Sequence, residues 1–439
     1  MKVYQSSTQP LRLLVLGFLS FIFIGACLLK LPFAYNGELP WLSAFFTATS
    51  AVTVTGLAVA DTANYTVFGQ SVIMVLIQTG GLGFMTLAIA AMMSIGIRIS
   101  SGSQQVAHEA LGIVPMHLIG STARLVILFA LMFELAAVVV LTLRWMGDLG
   151  WQRALYEAVF YAISAFNNAG FALSPDSIMP FVDDITVNVT ITALIILGGL
   201  GFTVLIDITK NRRWSKFNLN TRLILIATFA LNVGAFVFFF FMETQNPNTL
   251  ANAGLQEQVL ASWFQAVTPR TAGFNSIDIS QMTDASTMVM MFLMFIGGGS
   301  LSTASGIKIG TLVVLLVATV SYIKRKDSVT IMRYTISAEQ IQRAIALFCI
   351  SLMLILFSLV ILLMIEHKHP FLDVVFEVVS ALGTVGVSRG LTGDLSPLGQ
   401  MVIMVMMFVG RLGPLTIAYV IALPVRSKVR YPAATIHIG

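Results

Sequence analysis

Ser50-Ala-Val-Thr-Val-Thr-Gly56 is the stretch from which the rest of the chain can be read, because its outline recurs three more times. The counterparts are Ser164-Ala-Phe-Asn-Asn-Ala-Gly170, Val267-Thr-Pro-Arg-Thr-Ala-Gly273 and Ser380-Ala-Leu-Gly-Thr-Val-Gly386. Glycine closes each one, and an apolar residue (Leu57, Phe171, Phe274, Val387) follows. The glycines stand 114, 103 and 113 positions apart. A second anchor lies downstream of each. Gly80-Gly-Leu-Gly-Phe84 follows Gly56 by 24 residues, and Gly198-Gly-Leu-Gly-Phe202 follows Gly170 by 28. Gly297-Gly-Gly-Ser-Leu301 and Gly410-Arg-Leu-Gly-Pro414 each follow their glycine by 24. Two anchors at near-constant spacing, four times over, define a fourfold internal repeat.

The chain between the anchors is a membrane protein by composition. Of its 439 residues, 57% are hydrophobic and 10% charged, against about 25% charged in ordinary soluble domains. Apolar runs long enough to cross a bilayer fall at 11–33, 69–97, 122–145, 186–209, 220–242, 285–323 (interrupted), 340–365 and 398–425. No polar stretch is long enough for a separate soluble domain, and the N-terminus reads as a first span rather than a cleaved signal peptide. Sorting charges by the side on which each connection falls gives 17 basic residues against four acids on one side, and six against 15 on the other. The positive-inside rule then places both termini in the cytoplasm, with the protein multi-pass in the cell membrane. Cys27 and Cys349 both fall in apolar runs, where they read as small buried hydrophobes rather than a disulfide or metal site.

Each repeat reads as span, short amphipathic segment, glycine-centred turn, span. The short segments, "ELPWLSAFFTATSAV", "WQRALYEAVFYAISAF", "QEQVLASWFQAVT" and "HPFLDVVFEVVSAL", are too short to cross but suit re-entrant helices. Pro40 opens the first, and Glu257 and Asp373 lie in early turns. The expected fold is therefore an all-α polytopic membrane protein of eight spans, with four M1–P–M2 units (helix, pore helix and loop, helix) around a pseudo-fourfold axis. The unit boundaries are 1–100, 101–215, 216–326 and 327–425, with a cytoplasmic tail at 426–439. Non-helical backbone at membrane depth is tolerated only where protein buries it or it lines a wet cavity. Four such turns around one axis would present backbone carbonyls to a monovalent cation in place of its hydration shell.

These loops, "TVTGL", "NNAGF", "RTAGF" and "GTVGV", together with "TGGLGF" and "FVGRLGPLT", resemble the Trk/Ktr/HKT superfamily of potassium transporters. The ending "RYPAATIHIG" and the lack of a large extra domain make the chain similar to a KtrB-type membrane subunit, although Ala433 and Ala434 stand where that family often has glutamates. The resemblance covers residues from about 10 to 439. It implies a homodimer that passes K⁺, with Na⁺ as activator or coupling ion. It also implies a cytoplasmic KtrA-like ring of RCK-type subunits that carries ATP, ADP or NAD; this chain itself holds no cofactor and has no nucleic-acid partner. The filter carried over by the resemblance comprises Thr53, Val54, Thr55 and Gly56; Asn167, Asn168, Ala169 and Gly170; Arg270, Thr271, Ala272 and Gly273; and Gly383, Thr384, Val385 and Gly386. K⁺ at those carbonyls is the one metal ion expected. Glycine at Gly56 goes with K⁺ preference in the family, serine with Na⁺.

The third repeat replaces the compact glycine anchor by a longer polar stretch containing Gly297, Gly298, Gly299, Ser300, Ser302, Thr303, Ser305, Gly306 and Lys308. Successive glycines each cost a helix roughly 1 kcal/mol relative to alanine, and Ser and Thr hydroxyls hold backbone off the helical path. The segment 297–308 reads as a loop below the filter, facing Arg411 across the pore, and as an intramembrane gate. The neighbouring repeats are expected to use the same level for helix packing alone. Arg411 aligns with Gly81, Gly199 and Gly298. It is either a positive barrier to cations, a hydrogen-bond partner of a mobile element, or a staple between helices. Lys308 either lines the cavity or reaches toward the cytoplasm. Glu134 is expected to pair with a basic group or a backbone donor, and Arg270 to brace the pore helices through Glu157 or Glu377.

The function expected from these features is K⁺ translocation. The alternative is a Na⁺-selective or weakly selective cation pore of the same fold. An enzyme is not expected, since HExxH does not occur. A secondary transporter of inverted halves does not fit four parallel units.

Overall fold

The computed structural model describes residues 9–83 and 119–421. The far half of the second expected span (84–97), the tail 426–439, and Lys2, Arg98, Glu109, Arg426, Lys428 and Arg430 of the charge count lie outside the described residues.

One order of elements recurs four times. The first unit has α1 (Gln9–Leu29), the short α2 (Trp41–Thr53) and α3 (Val67–Leu82). The second has α4 (Ile119–Leu149), the short α5 (Trp151–Phe166), α6 (Ile185–Leu200) and α7 (Phe202–Asn211). The third has α8 (Leu219–Glu243), the short α9 (Leu255–Val267), α10 (Asp284–Phe295) and α11 (Ile309–Ile323). A small hairpin of β1 (Thr330–Ile331) and β2 (Tyr334–Thr335) leads to the fourth. That unit has α12 (Ala338–Ile365), the short α13 (Phe371–Gly383), α14 (Leu391–Asp394), α15 (Pro397–Leu412) and α16 (Pro414–Ile421). The short helices fall within a few residues of the four amphipathic segments read from the sequence. Among the described residues, three helices are long and apolar enough to cross a membrane alone: Thr122–Leu149, Leu219–Glu243 and Ala338–Ile365.

The units close into a ring. α3 packs on α5 of the second unit, α6 on α9 of the third, α10 on α13 of the fourth, and α15 returns to α2 of the first. The buried apolar clusters follow the same rule. The core around Trp145 and Phe166 takes Phe264 and Phe274 from the third unit, and the core around Phe239 and Phe376 takes Phe46 and Leu57 from the first. In every unit the apolar helix beyond the glycine turn (α3, α6, α10, α15) begins at a side-chain cap: Thr66, Asp184, Thr283 and Ser396 each accept from a backbone N–H three residues on. Each cap is tied to the C-terminal part of its unit's first helix or, in the first and fourth units, to a residue just after it. Thr66 Oγ1 donates to Phe33 O (2.6 Å), Arg144 pairs with Asp184 (2.6 Å), Thr283 N donates to Glu243 Oε1 (3.2 Å), and Ser396 N to Glu366 Oε1 (2.8 Å).

The glycine anchor does two jobs, of which packing is only the first. Cβ atoms on Gly80, Gly198 and Gly410 would fall closer than 3.0 Å to the carbonyl oxygens of Val52, Phe166 and Leu382, four residues before the turn glycine of the same unit. The second job corrects the expectation that only the third unit breaks its helix. Gly83, Gly201 and Gly413 end their helices at φ 81°, 98° and 88°, a region that glycine enters without steric cost. The chain bends by 93° between α6 and α7, so the spans read as continuous over 186–209 and 398–425 are both broken. Gly201 and Gly413 each separate two helices by a single residue, whereas the third unit inserts a loop between Phe295 and Ile309. Cys349 is exposed rather than buried; Cys27 is half-buried.

Gly410→Ala is expected to destabilise the detergent-solubilised protein by about 1–3 kcal/mol, the usual cost of overpacking. Gly234→Ala, mid-helix in α8 with open space around the added methyl, is expected to be neutral or stabilising by up to ~1 kcal/mol. Thermal unfolding of the two variants side by side checks this.

Candidate functional site: a ring of four glycine turns

Beyond each short helix the chain turns into the left-handed region two residues before the glycine. Val54, Asn168, Thr271 and Thr384 have φ of 56°, 58°, 72° and 49°, and Gly56, Gly170, Gly273 and Gly386 have φ of 97°, 70°, 80° and 90°. Left-handed backbone costs a non-glycine residue on the order of 1–3 kcal/mol and persists only where its surroundings fix it. Here the fixing contacts are those of a helix C-cap. Val54, Asn168 and Thr384 N–H groups each donate to a carbonyl three residues back at 3.1 Å. Thr55, Ala169 and Val385 N–H groups each reach five residues back at 2.8 Å. The third unit makes the equivalent closure from Ala272 to Thr268 O at 3.0 Å.

Hydroxyls at the helix ends hold the far side of the turns. Ser50 Oγ accepts from Gly56 N (3.0 Å) and Ser380 Oγ from Gly386 N (3.2 Å). Ser164 Oγ donates to Phe171 O (2.8 Å), and Thr268 Oγ1 to Phe274 O. This is the physical use of the Ser/Thr-rich approach to each glycine.

The four turns meet. A Cβ on Gly56 would strike Ala169 O, one on Gly170 would strike Gly273 and Ala272 O, one on Gly273 would strike Val385 O, and one on Gly386 would strike Thr55 O. Sequence order is thus spatial order, and the carbonyls nearest the four glycines belong to Thr55, Ala169, Ala272 and Val385. All four glycines line a single cavity of about 510 Å³. Its walls carry Asp61, Asp176 and Asp278 from the first three units and Arg389 from the fourth. Arg389 is held by Asp373 (2.7 Å) and by Thr287 Oγ1 (2.9 Å).

The residue three before each glycine differs between units, and so does its tether. Thr53 stays local, bonding Thr49 O (2.7 Å) and Thr55 Oγ1 (2.8 Å). Gly383 has no side chain to offer. Asn167 reaches the first helix of its own unit and α3 of the unit before. Its Nδ2 donates to Glu134 Oε1 (3.2 Å) and to Gln78 Oε1 (2.7 Å), while Gln78 Nε2 donates to Glu134 Oε2 (3.1 Å). Arg270 likewise reaches its unit's first helix, donating to Asn232 Oδ1 (2.9 Å) and Thr228 O (3.4 Å) on α8. Two expectations are corrected. Arg270 does not meet Glu157, which pairs with Arg153 (2.7 Å), nor Glu377, which accepts from Ser388 (2.7 Å) and Thr392. Glu134 has two side-chain amides as partners rather than a base or a backbone group. Position along the chain could not reveal these pairs, because the partners lie 33 to 89 residues apart.

On the helix-break side, the inserted loop is buried at Gly297, Gly298, Gly299, Thr303, Ala304 and Ser305, while Ser300 is exposed. It uses the break of the second unit as its partner. Gly299 N donates to Gly199 O (2.8 Å), Thr303 N to Gly198 O (3.2 Å), and Phe202 N to Leu301 O (2.8 Å). Ser302 Oγ donates to Gly299 O (2.8 Å), and Gly306, at φ 65°, turns the chain back. Lys308 Nζ donates to Ala304 O (2.5 Å), so this lysine closes the loop on itself. Arg411 touches the loop rather than facing it across a gap. Its guanidinium donates to Thr303 O, to Ser305 Oγ (3.2 Å), to Gly80 O and to Gly81 O (3.1 Å). It therefore joins the loop to the broken end of α3.

The comparisons with known proteins agree with this architecture. The family model described as "TrkH: Cation transport protein" matches residues 13–431. The chain is 45% identical to the Ktr system potassium uptake protein B of Bacillus subtilis, over 98% of this chain and 97% of that one. It is 37% identical to the potassium/sodium uptake protein NtpJ of Enterococcus hirae, over 98% and 97%. The crystal structure of the potassium transporter TrkH from Vibrio parahaemolyticus shares the fold, with a TM-score of 0.77 at 20% identity, covering 96% of this chain and 86% of that one. By the family match over residues 13–431 and its 45% identity to a relative over 98% of its length, the chain belongs to the TrkH family of cation transport proteins.

Proposed function

We propose that this chain is the membrane-spanning, translocating subunit of a K⁺ uptake system. The observation that carries the reading is the closure of four cap-like turns, one from each unit, around one cavity with backbone carbonyls nearest their glycines. Carbonyls of fixed position can replace a cation's water shell without adding a charge that would trap the ion. In this reading K⁺ enters from the aspartate-bearing mouth, dehydrates at Thr55, Ala169, Ala272 and Val385, and leaves past the loop at 297–308. The eight spans traverse the cell membrane with both termini cytoplasmic, as the charge asymmetry supports. The names of the relatives support K⁺ as cargo and a multi-component system. A homodimer, a cytoplasmic RCK-type ring binding ATP, ADP or NAD, and activation by Na⁺ are the remaining parts of the proposal.

The loop is the gate in this reading. It is held by hydrogen bonds rather than by a continuous helix, and Arg411 binds it to the first unit. A second reading, a weakly selective or Na⁺-passing pore, draws on a specific feature. The residues before the shared glycine differ between units, so one ring of equivalent carbonyls takes the place of several stacked ones.

Growth of K⁺-uptake-deficient cells at limiting K⁺, with and without a ring subunit, tests the main reading, and uptake in K⁺/Na⁺ competition separates it from the second. Gly56→Ser places a side chain against Ala169 O at φ 97°. It is expected to lower K⁺ preference over Na⁺ by about tenfold, ~1.4 kcal/mol of discrimination; unchanged uptake of both ions would remove the filter assignment. Deleting residues 299–305 is expected to raise uptake and make it less dependent on the ring. The same deletion should lower thermal stability, because Gly198 O, Gly199 O and Phe202 N lose their partners. Flux equal to that of the parent would refute the gate.

A further inference from the structure

The carboxyl group of Glu134 has no place in the transport path described above, yet it is 5% exposed and lies in the middle of α4. Among the described residues it makes no ion pair. Its two oxygens are used separately: Oε2 accepts from Gln78 of the first unit and Oε1 accepts from Asn167 of the second. Gln78 and Asn167 are themselves joined at 2.7 Å, so the three side chains form a closed triangle across α3, α4 and the end of α5. Gly81 leaves room for it, since a Cβ there would overlap the Asn167 side chain. Ile163 O lies 2.9 Å from the same Asn167 nitrogen, so the two amide hydrogens are shared among three acceptors.

We infer that Glu134 is a positioning residue for ion selection, acting on the second turn through Asn167. Asn167 is the last residue of right-handed backbone (φ −79°, ψ −2°) before Asn168 turns left-handed. The ring carbonyl of Ala169 is the next but one. A change in where Asn167 sits therefore rotates the peptide that faces the ion. Packing alone does not account for the group. A buried carboxyl in a membrane helix is costly to insert, and an apolar side chain of similar volume would fill the site at lower cost. What an apolar group cannot do is hold an amide in one orientation from two directions. In the third unit, Arg270 occupies the same register and is tethered to Asn232 on its own first helix. The tether at this level is therefore a device of two adjacent units, absent from Thr53 and Gly383. The turns of units two and three are pinned from behind, and those of units one and four depend on local bonds.

The inference rests on the filter reading, and its test keeps the two apart. Glu134→Gln in the full chain, in cells carrying the complete uptake system, places a donor where Gln78 already donates. It is expected to lower K⁺ preference over Na⁺ about tenfold, or ~1.4 kcal/mol, and to raise the KM for K⁺ while the maximal rate per transporter stays within about twofold. The exchanged pair Gln78→Glu with Glu134→Gln restores every donor–acceptor match of the triangle. The amide, now on α4, would donate to the carboxylate, now on α3, and an oxygen of each would accept from Asn167. The pair is expected to return K⁺ preference to within about twofold of the parent, the coupling expected of residues in one network. If Glu134→Gln leaves preference unchanged while Gly56→Ser alters it, the filter stands and the positioning role falls. An exchanged pair no better than the single variant likewise reduces Glu134 to a packing group. If neither Glu134→Gln nor Gly56→Ser alters preference, the filter reading itself falls. Should Glu134→Gln not reach the membrane, Glu134→Asp, which keeps the carboxyl but shortens its reach to Asn167, is measured instead. A loss of preference supports the inference and an unchanged value overturns it.

Discussion

The constraint on which this structure depends is that backbone freed from helices at membrane depth must find partners inside the protein. The chain leaves the helical path four times at the turns and again where the second helices break. At the turns the answer is local: the chain leaving each short helix passes through the left-handed region two residues before its glycine, and a Ser or Thr hydroxyl closes the far side. At the breaks of the second and third units it is tertiary. The carbonyls of Gly198 and Gly199 and the N–H of Phe202 are satisfied by the inserted loop of the third unit. Loop and break stabilise each other, and removing either leaves the other short of bonds.

Arg411 extends the same logic. Its guanidinium supplies donors to carbonyls of the loop (Thr303) and of the broken end of α3 (Gly80, Gly81). A single side chain so joins the fourth, third and first units at the level where the helices open. Buried charge elsewhere is handled the same way: Arg270 and Glu134 meet neutral polar groups rather than opposite charges. A tight ion pair would need two desolvations.

Much of this is legible in the sequence because repeats print their geometry as spacing. The four glycine turns, the short helices before them and the glycine level beyond them can all be located from periodicity and length. The errors share one cause, which is that local composition does not report tertiary partners. Gly-Gly-Leu-Gly reads the same whether it packs a helix or ends one, so the breaks at Gly201 and Gly413 resemble packing. Val54 and Thr384 give no sign of left-handed backbone, since β-branched residues are poor choices for it; the caps that impose it arise only once the turn has closed. Charge alone points Arg270 toward acids, whereas its partners are Asn232 and Thr228.

The sequence alone therefore determined which residues repeat, how long each short helix is and where the chain can turn, because these follow from local sterics and hydrophobic run length. Only the tertiary structure decided which polar groups meet. Glu134 with Asn167, Arg411 with Thr303, and the loop with Gly198 and Gly199 are contacts between segments brought together by the ring closure of four units. The energy of such contacts depends on distances and orientations that exist only once the ring has formed, and a linear spacing carries no record of them.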